Sequence, residues 1–120
     1  MVICVLGIFV ADLAFFAEKL PVEGESIIGN KYVIGPGGKG SNQAVAAAKA
    51  GVKTYFISKI GDDQFGAMAK TIYDQSGVDY SHVIISKEHS TGAAGILVNE
   101  TTGANAINVV TGAAGALTTQ

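Results

Sequence analysis

A glycine-rich segment that runs directly into an alanine-rich stretch is the part of this chain whose residue types best suit chemistry. Gly37–Lys49 reads Gly-Gly-Lys-Gly-Ser-Asn-Gln-Ala-Val-Ala-Ala-Ala-Lys. Glycines let the backbone approach a ligand closely, and the first N–H groups of a helix have no partner within it. Lys39 and Asn42 add side-chain donors. The segment predicts a site for an oxygen-rich small molecule, although a loop-to-helix junction without a ligand would use the same glycines for a tight turn.

The glycine segment does not have the spacing of the common nucleotide-binding motifs. A phosphate-binding P-loop needs two glycines at a fixed distance before Lys-Ser or Lys-Thr, and that spacing is missing here. A dinucleotide fingerprint would stand directly after the first strand, and no Gly-x-Gly-x-x-Gly follows Val10.

Asp12 is the second residue with chemical potential, because it follows the apolar run Val2–Val10. That run predicts a first strand buried on both faces. Open α/β sheets bind their ligands beyond the carboxyl ends of their strands. A carboxylate there can accept hydrogen bonds from two hydroxyls of a sugar. The position alone fits a turn or cap aspartate equally well.

Other polar residues are assigned structural roles. Asp62 and Asp63 predict a helix cap, which we favour over a metal site because no third ligand lies nearby in the sequence. His82 and His89 are assigned no chemistry. Cys4, the single cysteine, is predicted to be a buried core thiol.

The pattern of elements predicts an α/β protein with some antiparallel strand pairing. Ser26–Ile34 predicts a bent hairpin or bulged strand, followed by a loop at Gly35–Gly40 and a polar turn at Glu100–Gly103. The remaining predicted elements are helices at Ser41–Ala50 and about Gln64–Gln75, and strands at Thr54–Ile60, Val83–Ser86, Thr91–Asn99 and Asn105–Val110.

Composition excludes some classes of partner. The chain has 120 residues, a net charge of −2, 48% hydrophobic residues and 15% charged residues. The acidic balance and the absence of a basic stripe argue against nucleic acid. The N-terminal apolar run is too short to span a membrane, and no basic residue precedes it as in a signal peptide. The sequence therefore predicts a cytoplasmic protein with neither nucleic-acid nor membrane partners.

Taken with Asp12, the segment Gly37–Ala46 resembles the first signature of the ribokinase, or PfkB, family of carbohydrate kinases. The resemblance covers essentially the whole chain, and it is closest to the ribokinase and deoxyribokinase branch. The other matching motifs stand in the family's order: Leu6-Gly7, Ala11-Asp12, Pro21-x-x-Gly24-Glu25, Gly61-Asp62-Asp63-x-x-Gly66, Gly77-Val78 and Ser90-Thr91-Gly92-Ala93-Ala94.

The resemblance implies a fold and an activity. Residues 1–120 would be the N-terminal part of a three-layer α/β/α sugar kinase domain, with a small lid built from strands at about 13–36 and 91–110. The parent enzyme would transfer the γ-phosphoryl group of Mg-ATP to the primary hydroxyl of a pentose, ribose or 2-deoxyribose. Ribokinases also dimerise through the lid, so the resemblance implies a homodimer. The positions that match substrate contacts are Asp12, Gly38, Lys39, Asn42, Val10, Ala94 and Ile96.

Three departures from the family pattern bear on function, one of which is Ala114, where ribokinases have the asparagine of Gly-Ala-Asn. The later half of the family carries a Gly-Ala-Gly-Asp motif with the general base, the ATP site and a monovalent-cation site for K⁺, and no such motif occurs here. We therefore assign no catalytic residue or metal ligand, expect this chain alone to bind no cofactor and to be inactive, and expect a fragment or truncated reading frame. The remaining departure is Val10, where ribokinases carry an asparagine that bonds a ribose hydroxyl. Valine there would suit 2-deoxyribose.

Two alternatives to a pentose kinase remain open from the sequence. One is a nucleoside kinase of the same superfamily, whose pocket beside Ala94 and Ile96 would be more open. The other is a non-catalytic sugar-binding module, which would bind sugar without ATP.

Overall fold

The computed structural model describes residues 1–118, whose strands form two β-sheets. The chain passes from the first sheet to the second twice, so each sheet is built from two separate segments of the chain. The elements are β1 (Val2–Leu6), β2 (Val10–Ala17), β3 (Lys31–Gly37), α1 (Lys39–Lys49), β4 (Lys53–Gly61), α2 (Gln64–Ser76), β5 (Val83–Ser86), β6 (Thr91–Asn99), β7 (Asn105–Gly112) and a short 3₁₀ helix (Ala113–Ala116).

The first sheet is a parallel three-stranded sheet in the order β1-β4-β5, and it is the core sheet of this structure. Alternate residues of β4 point toward the helices and are buried, as the period of a strand requires. Phe56 and Ile60 are fully buried there, and they pack with Tyr73 of α2 and with Phe9. The predicted α/β class is confirmed by this arrangement.

The other face of the core sheet is open within the described residues. Val2 and Leu6 of β1 are 63% and 69% exposed, and the thiol of Cys4 is exposed. The predictions of a first strand buried on both faces and of a buried Cys4 are therefore wrong for residues 1–118. The apolar run carries no information about how many helical layers cover the strand.

The second sheet, which we call the four-stranded sheet, has the order β3-β2-β6-β7. Strands β2 and β6 are parallel, whereas β3 and β7 add to the two sides in antiparallel pairing. The predicted hairpin at Glu100–Gly103 is confirmed, with Gly103 at φ +77° in its turn. The predicted hairpin or bulged strand at Ser26–Ile34 is wrong in its first part, because Ile27 and Ile28 lie outside any strand and β3 begins only at Lys31.

Two of the predicted boundaries that are wrong fall where the sheets meet. The run Val2–Val10 breaks after Leu6, because Gly7 lies in backbone contact with Gly40 of α1. Strand β3 continues through Gly35–Gly37, which we expected to be loop, because these residues pair with Asp12, Ala11 and Val10 of β2.

Helix α2 follows its predicted signals closely. The Asp63 carboxylate caps its N-terminus by accepting a hydrogen bond from the Gly66 amide, and Gly77 ends it in the left-handed conformation at φ +85°. No helix in the described part of the chain is long and apolar enough to cross a membrane.

Candidate functional site

The N-terminus of α1 is seated on the short connection between β1 and β2. Gly38 stands before the helix at φ +96°, and a Cβ atom there would overlap the carbonyl oxygen of Ile8. The Ser41 amide donates to the same carbonyl at 3.4 Å. Only glycine fits the position of Gly38, since it combines a left-handed φ with this close approach. The glycine segment therefore fixes where the helix begins.

The Asp12 carboxylate lies directly against Gly37. A Cβ atom on Gly37 would collide with both carboxylate oxygens of Asp12, so the glycine leaves room for that side chain. Asp12 stands opposite Gly35 in the register of β2 with β3, which makes Gly37 its diagonal neighbour. We predicted Asp12 just beyond the end of the first strand; instead it is the third residue of β2. The strand break at Gly7 explains the difference.

Burial raises the pKa of the Asp12 carboxyl above its usual value. The side chain is partly covered, so its charged form has lost some solvation. A carboxylate in this state favours hydrogen-bond donors that can replace the lost water, such as the hydroxyls of a neutral polyol.

The first turn of α1 is open to a ligand. Gly38 provides no side-chain cap, and no acidic residue lies in the first turn. The positive end of the helix dipole therefore lies just after Gly37, together with the first-turn N–H groups other than that of Ser41, which is bonded to Ile8. Lys39 and Asn42 are exposed in this turn, as the sequence-based prediction of the site requires.

The apolar candidate residues line β2 and β6. Ala94 is the register partner of Asp12 on the parallel strand, so both side chains leave the same face of the sheet. Ile96 pairs with Ala14, two residues further along the two strands. Val10 pairs with Gly92 and is 4% exposed, with a methyl group packed against that glycine. The register thus places Val10, Asp12 and Ala94 at neighbouring positions on one face of the sheet and Ile96 farther along that face, whereas Gly38 contacts Ile8 and Phe9.

Two hydrogen-bonded pairs that the sequence did not predict hold this region in place. The hydroxyls of Ser41 in α1 and Tyr73 in α2 lie 2.7 Å apart in the core. The Asp63 carboxylate bonds the backbone and side chain of Thr91 at the start of β6. Neither pair has a local sequence signal, because the partners are separated by 32 and 28 residues.

A cavity of about 520 Å³ lies at the opposite end of the four-stranded sheet from Asp12. Its walls include Phe16 near the end of β2, Lys31 at the start of β3, and Leu20 and Ile27 from the connection between them. No candidate sugar-contact residue lines it. Among residues 1–118, no group of three or more His, Cys, Asp or Glu side chains could hold a metal ion.

Comparison with known proteins gives consistent matches. The family described as pfkB family carbohydrate kinase matches residues 2–120. A ribokinase from Bacillus subtilis is 40% identical over 113 residues, covering 92% of this chain and 37% of that protein. A deoxyribokinase from Salmonella typhi is 37% identical over 113 residues, covering 94% of this chain and 37% of that protein.

Solved structures agree with these matches. The structure of Arabidopsis thaliana ribokinase complexed with ribose and ATP has a TM-score of 0.83 at 34% identity, covering 92% of this chain and 36% of that one. The predicted ribokinase-like α/β fold is confirmed. The chain spans 37% of the length of each of the two curated relatives named above.

Proposed function

Because the chain belongs to the pfkB family of carbohydrate kinases, we propose that it supplies the sugar-binding part of an ATP-dependent pentose kinase. The substrate would be ribose or 2-deoxyribose, phosphorylated at its primary hydroxyl. The similarity to proteins named ribokinase and deoxyribokinase supports this substrate class.

The observation that carries the proposal is the Asp12 carboxylate placed against Gly37 at the open N-terminus of α1. A helix N-terminus alone would suit a phosphate. A carboxylate beside it would repel phosphate oxygens, whereas it accepts hydrogen bonds from hydroxyls. The first-turn N–H groups other than that of Ser41 would then donate to the oxygens of the same ligand. This combination favours a neutral polyol over a nucleotide.

In this proposal each candidate residue has a separate task. Asp12 accepts hydrogen bonds from the sugar hydroxyls, and Gly38 allows the backbone to approach the ring. Lys39 and Asn42 donate hydrogen bonds from the exposed first turn of α1. Ala94 and Ile96 present apolar surface to the sugar from the four-stranded sheet, which would act as the lid.

ATP, Mg²⁺ and K⁺ would be bound by parts of a longer parent enzyme. The Asp12 carboxylate adjoins the glycine segment, and its charge disfavours the phosphate oxygens of a nucleotide there. We therefore propose that the 120-residue chain by itself binds pentose but transfers no phosphoryl group. ATP consumption by the purified chain with ribose or 2-deoxyribose would contradict this.

We also propose that two copies associate through the four-stranded sheet. The face opposite Asp12 carries exposed apolar side chains, including Phe15 at 45%, Tyr32 at 67% and Ile34 at 46% exposure. Such a contiguous apolar surface is typical of an interface. Analytical ultracentrifugation should show a dimer, and Tyr32→Glu should shift it toward monomer.

Isothermal titration calorimetry with ribose, without ATP, tests the sugar site. We expect the chain to bind ribose, and Asp12→Asn to weaken binding at least about tenfold, because a charged acceptor is worth about 1.5–3 kcal/mol. The matched control is Asp74→Asn, an exposed aspartate of α2. Equal ribose affinity in the two variants would refute the assignment of Asp12.

Sugar selectivity is tested by comparing ribose with 2-deoxyribose. Val10 offers neither a donor nor an acceptor, so a ribose 2-hydroxyl facing it would lose a hydrogen bond, at a cost of about 1–3 kcal/mol. We expect 2-deoxyribose to bind at least as tightly as ribose, and the same order in kcat/KM of a complete parent enzyme. A strong preference for ribose with Val10 intact would rule out this selectivity.

A further inference from the structure

The carboxylate of Asp63 joins the start of α2 to the start of β6, where the four-stranded sheet meets the core sheet. Its Oδ1 accepts hydrogen bonds from the Gly66 amide at 2.8 Å and from the Thr91 hydroxyl at 2.6 Å. Its Oδ2 accepts from the Thr91 amide at 2.8 Å. We call this arrangement the Asp63–Thr91 clamp. Both donor groups of Thr91 belong to β6, so helix capping alone does not account for the arrangement.

Thr91 completes the clamp from the side of β6. Its hydroxyl oxygen accepts a hydrogen bond from the Gly61 amide at 2.8 Å while donating to Asp63. Thr91 is 4% exposed, so these bonds replace water. Burial alone would raise the pKa of the Asp63 carboxyl, but the bonds from Thr91, Gly66 and Phe65 outweigh it and lower the pKa. The charged form is therefore the one that the clamp holds.

Glycines let three elements approach closely at this point. A Cβ atom on Gly61 would lie 2.5 Å from the Thr91 amide nitrogen, and a Cβ atom on Gly66 would overlap the carbonyl oxygen of Gly61. The end of β4, the start of α2 and the start of β6 are thus in direct backbone contact. Side-chain motion cannot absorb a change in this packing.

The clamp acts on the candidate site through strand register. Thr91 is the first residue of β6, which runs parallel to β2 and places Gly92 beside Val10 and Ala94 beside Asp12. The position of Thr91 therefore sets where this pair of strands stands relative to the core sheet and to α1.

We infer that Asp63 and Thr91 are positioning residues for the sugar site: their clamp fixes the base of β6 on α2 and thereby holds Asp12 and Ala94 at the N-terminus of α1. Neither residue is among the candidate sugar contacts. The consequence for sugar affinity rests on the proposed function, whereas the consequence for β6 does not.

Asp63→Asn and Thr91→Val separate the clamp from the helix cap. Asparagine caps a helix as well as aspartate, but its amide group would place a donor opposite the donor of Thr91. Valine keeps the shape of threonine without the hydroxyl. Thr91→Ser retains the hydroxyl, and Asp62→Asn makes the same change of charge at the preceding exposed residue.

Hydrogen–deuterium exchange of the full 120-residue chain measures the clamp directly. We expect amides at the start of β6 to exchange at least about tenfold faster in Asp63→Asn and Thr91→Val, since one lost hydrogen bond of about 1.4 kcal/mol corresponds to a tenfold change in opening. Amides of Phe56 and Ile60 in β4 should stay protected, which shows that the core is folded. Thr91→Ser and Asp62→Asn should resemble the unmodified chain within about twofold.

Ribose titration calorimetry of the same variants tests the positioning role. Asp63→Asn and Thr91→Val should weaken ribose binding about tenfold, whereas Thr91→Ser, which keeps the hydroxyl, should bind ribose as the unmodified chain does. If β6 loosens while the ribose affinity is unchanged, the positioning role is wrong. If β6 exchanges no faster than in Asp62→Asn, the clamp itself is wrong. If the unmodified chain binds no ribose, the proposed function fails, yet the exchange experiment still decides the clamp.

Discussion

The two sheets of this chain differ in what stabilises them. In the core sheet, Phe56 and Ile60 of β4 are fully buried against the helices. In the four-stranded sheet, every residue of β7 before Gly112 is exposed, and Phe15 of β2 is 45% exposed. The core sheet is therefore held by apolar burial, whereas the four-stranded sheet depends on strand pairing and on ties at its base.

This difference explains where the candidate site lies. A ligand-binding residue must be held firmly yet remain accessible, and neither sheet provides both conditions alone. Asp12 belongs to the four-stranded sheet but is held near α1, which packs on the core sheet. The junction between the two sheets gives both conditions, because rigid elements of the core support a surface that is still open.

The largest difference in stability between the two sheets should appear when one aromatic side chain of each sheet is truncated to alanine. Phe56→Ala removes a fully buried ring whose centre lies 5.4 Å from that of Tyr73, and we expect it to lower the free energy of unfolding by about 3–5 kcal/mol. Phe15→Ala should cost about 1 kcal/mol, because its ring is already half in water. Urea denaturation measures both. Equal losses would mean that the two sheets are stabilised alike.

Alanine substitutions at Gly38 and Gly103, two glycines at positive φ, compare the junction between the two sheets with the β6–β7 hairpin. Gly38→Ala combines backbone strain of about 1–2 kcal/mol with overlap on Ile8, which adds about 1–3 kcal/mol. Gly103→Ala has φ +77° and nothing within 4 Å of the new methyl group, so only the strain applies. Thermal unfolding should rank Gly38→Ala clearly below Gly103→Ala. The reverse order would show that the junction tolerates movement.

Removing the Tyr73 hydroxyl should have a smaller effect that depends on pH. Burial raises the pKa of Tyr73 from 10.0 to about 12, although its bond with Ser41 acts in the opposite direction. The folded pKa is above the unfolded one, so the associated stability is complete below about pH 10 and is lost as pH rises toward 12.

Tyr73→Phe should cost about 1 kcal/mol at pH 7 through the lost Ser41 bond. It should also abolish the latest step of the ultraviolet tyrosine titration, and Tyr32→Phe is the exposed control. A titration that keeps its late step in Tyr73→Phe would assign that step to another tyrosine.

The smallest effect compares one cation–π contact in each sheet. The Lys31 ammonium lies 4.8 Å from the centre of the Phe16 ring, and that of Lys53 lies 5.4 Å from the Tyr55 ring. Both lysines are exposed, so Lys31→Met and Lys53→Met should each cost about 0.5–1 kcal/mol or less. Chemical denaturation should give the larger loss for Lys31→Met. A loss above 2 kcal/mol would show that Lys31 supports more than this contact.

Elements with local signals were predicted well from the sequence. Asp63 and Gly77 mark the two ends of α2 because a cap oxygen and a left-handed glycine act within one helical turn. The strands Val83–Ser86 and Thr91–Asn99 have their predicted bounds. The break after Leu6 was missed because Gly7 looks like any glycine in an apolar run until Gly40 is placed against it.

The candidate site was likewise predicted only in part from the sequence. The residue types that suit a sugar, Asp12 and the glycine segment, are visible in the sequence and in its family resemblance. Their geometry is not, because Asp12 is placed by pairing with Gly35 and Ala94, which lie 23 and 82 positions further along the chain. The part played by Thr91 was not predicted at all.

The sequence by itself determined the chemistry that this protein can offer: a carboxylate, a glycine-rich helix N-terminus, and local caps and turns that each act within a few residues. Only the tertiary structure decided that Gly37 makes room for Asp12, that Val10 is buried against Gly92, and that Asp63 holds Thr91. Capping and turn preferences are local properties of the backbone. Contacts between the two sheets depend on how the strands pair and on which faces remain open. Composition and periodicity predict neither the pairing nor the open faces.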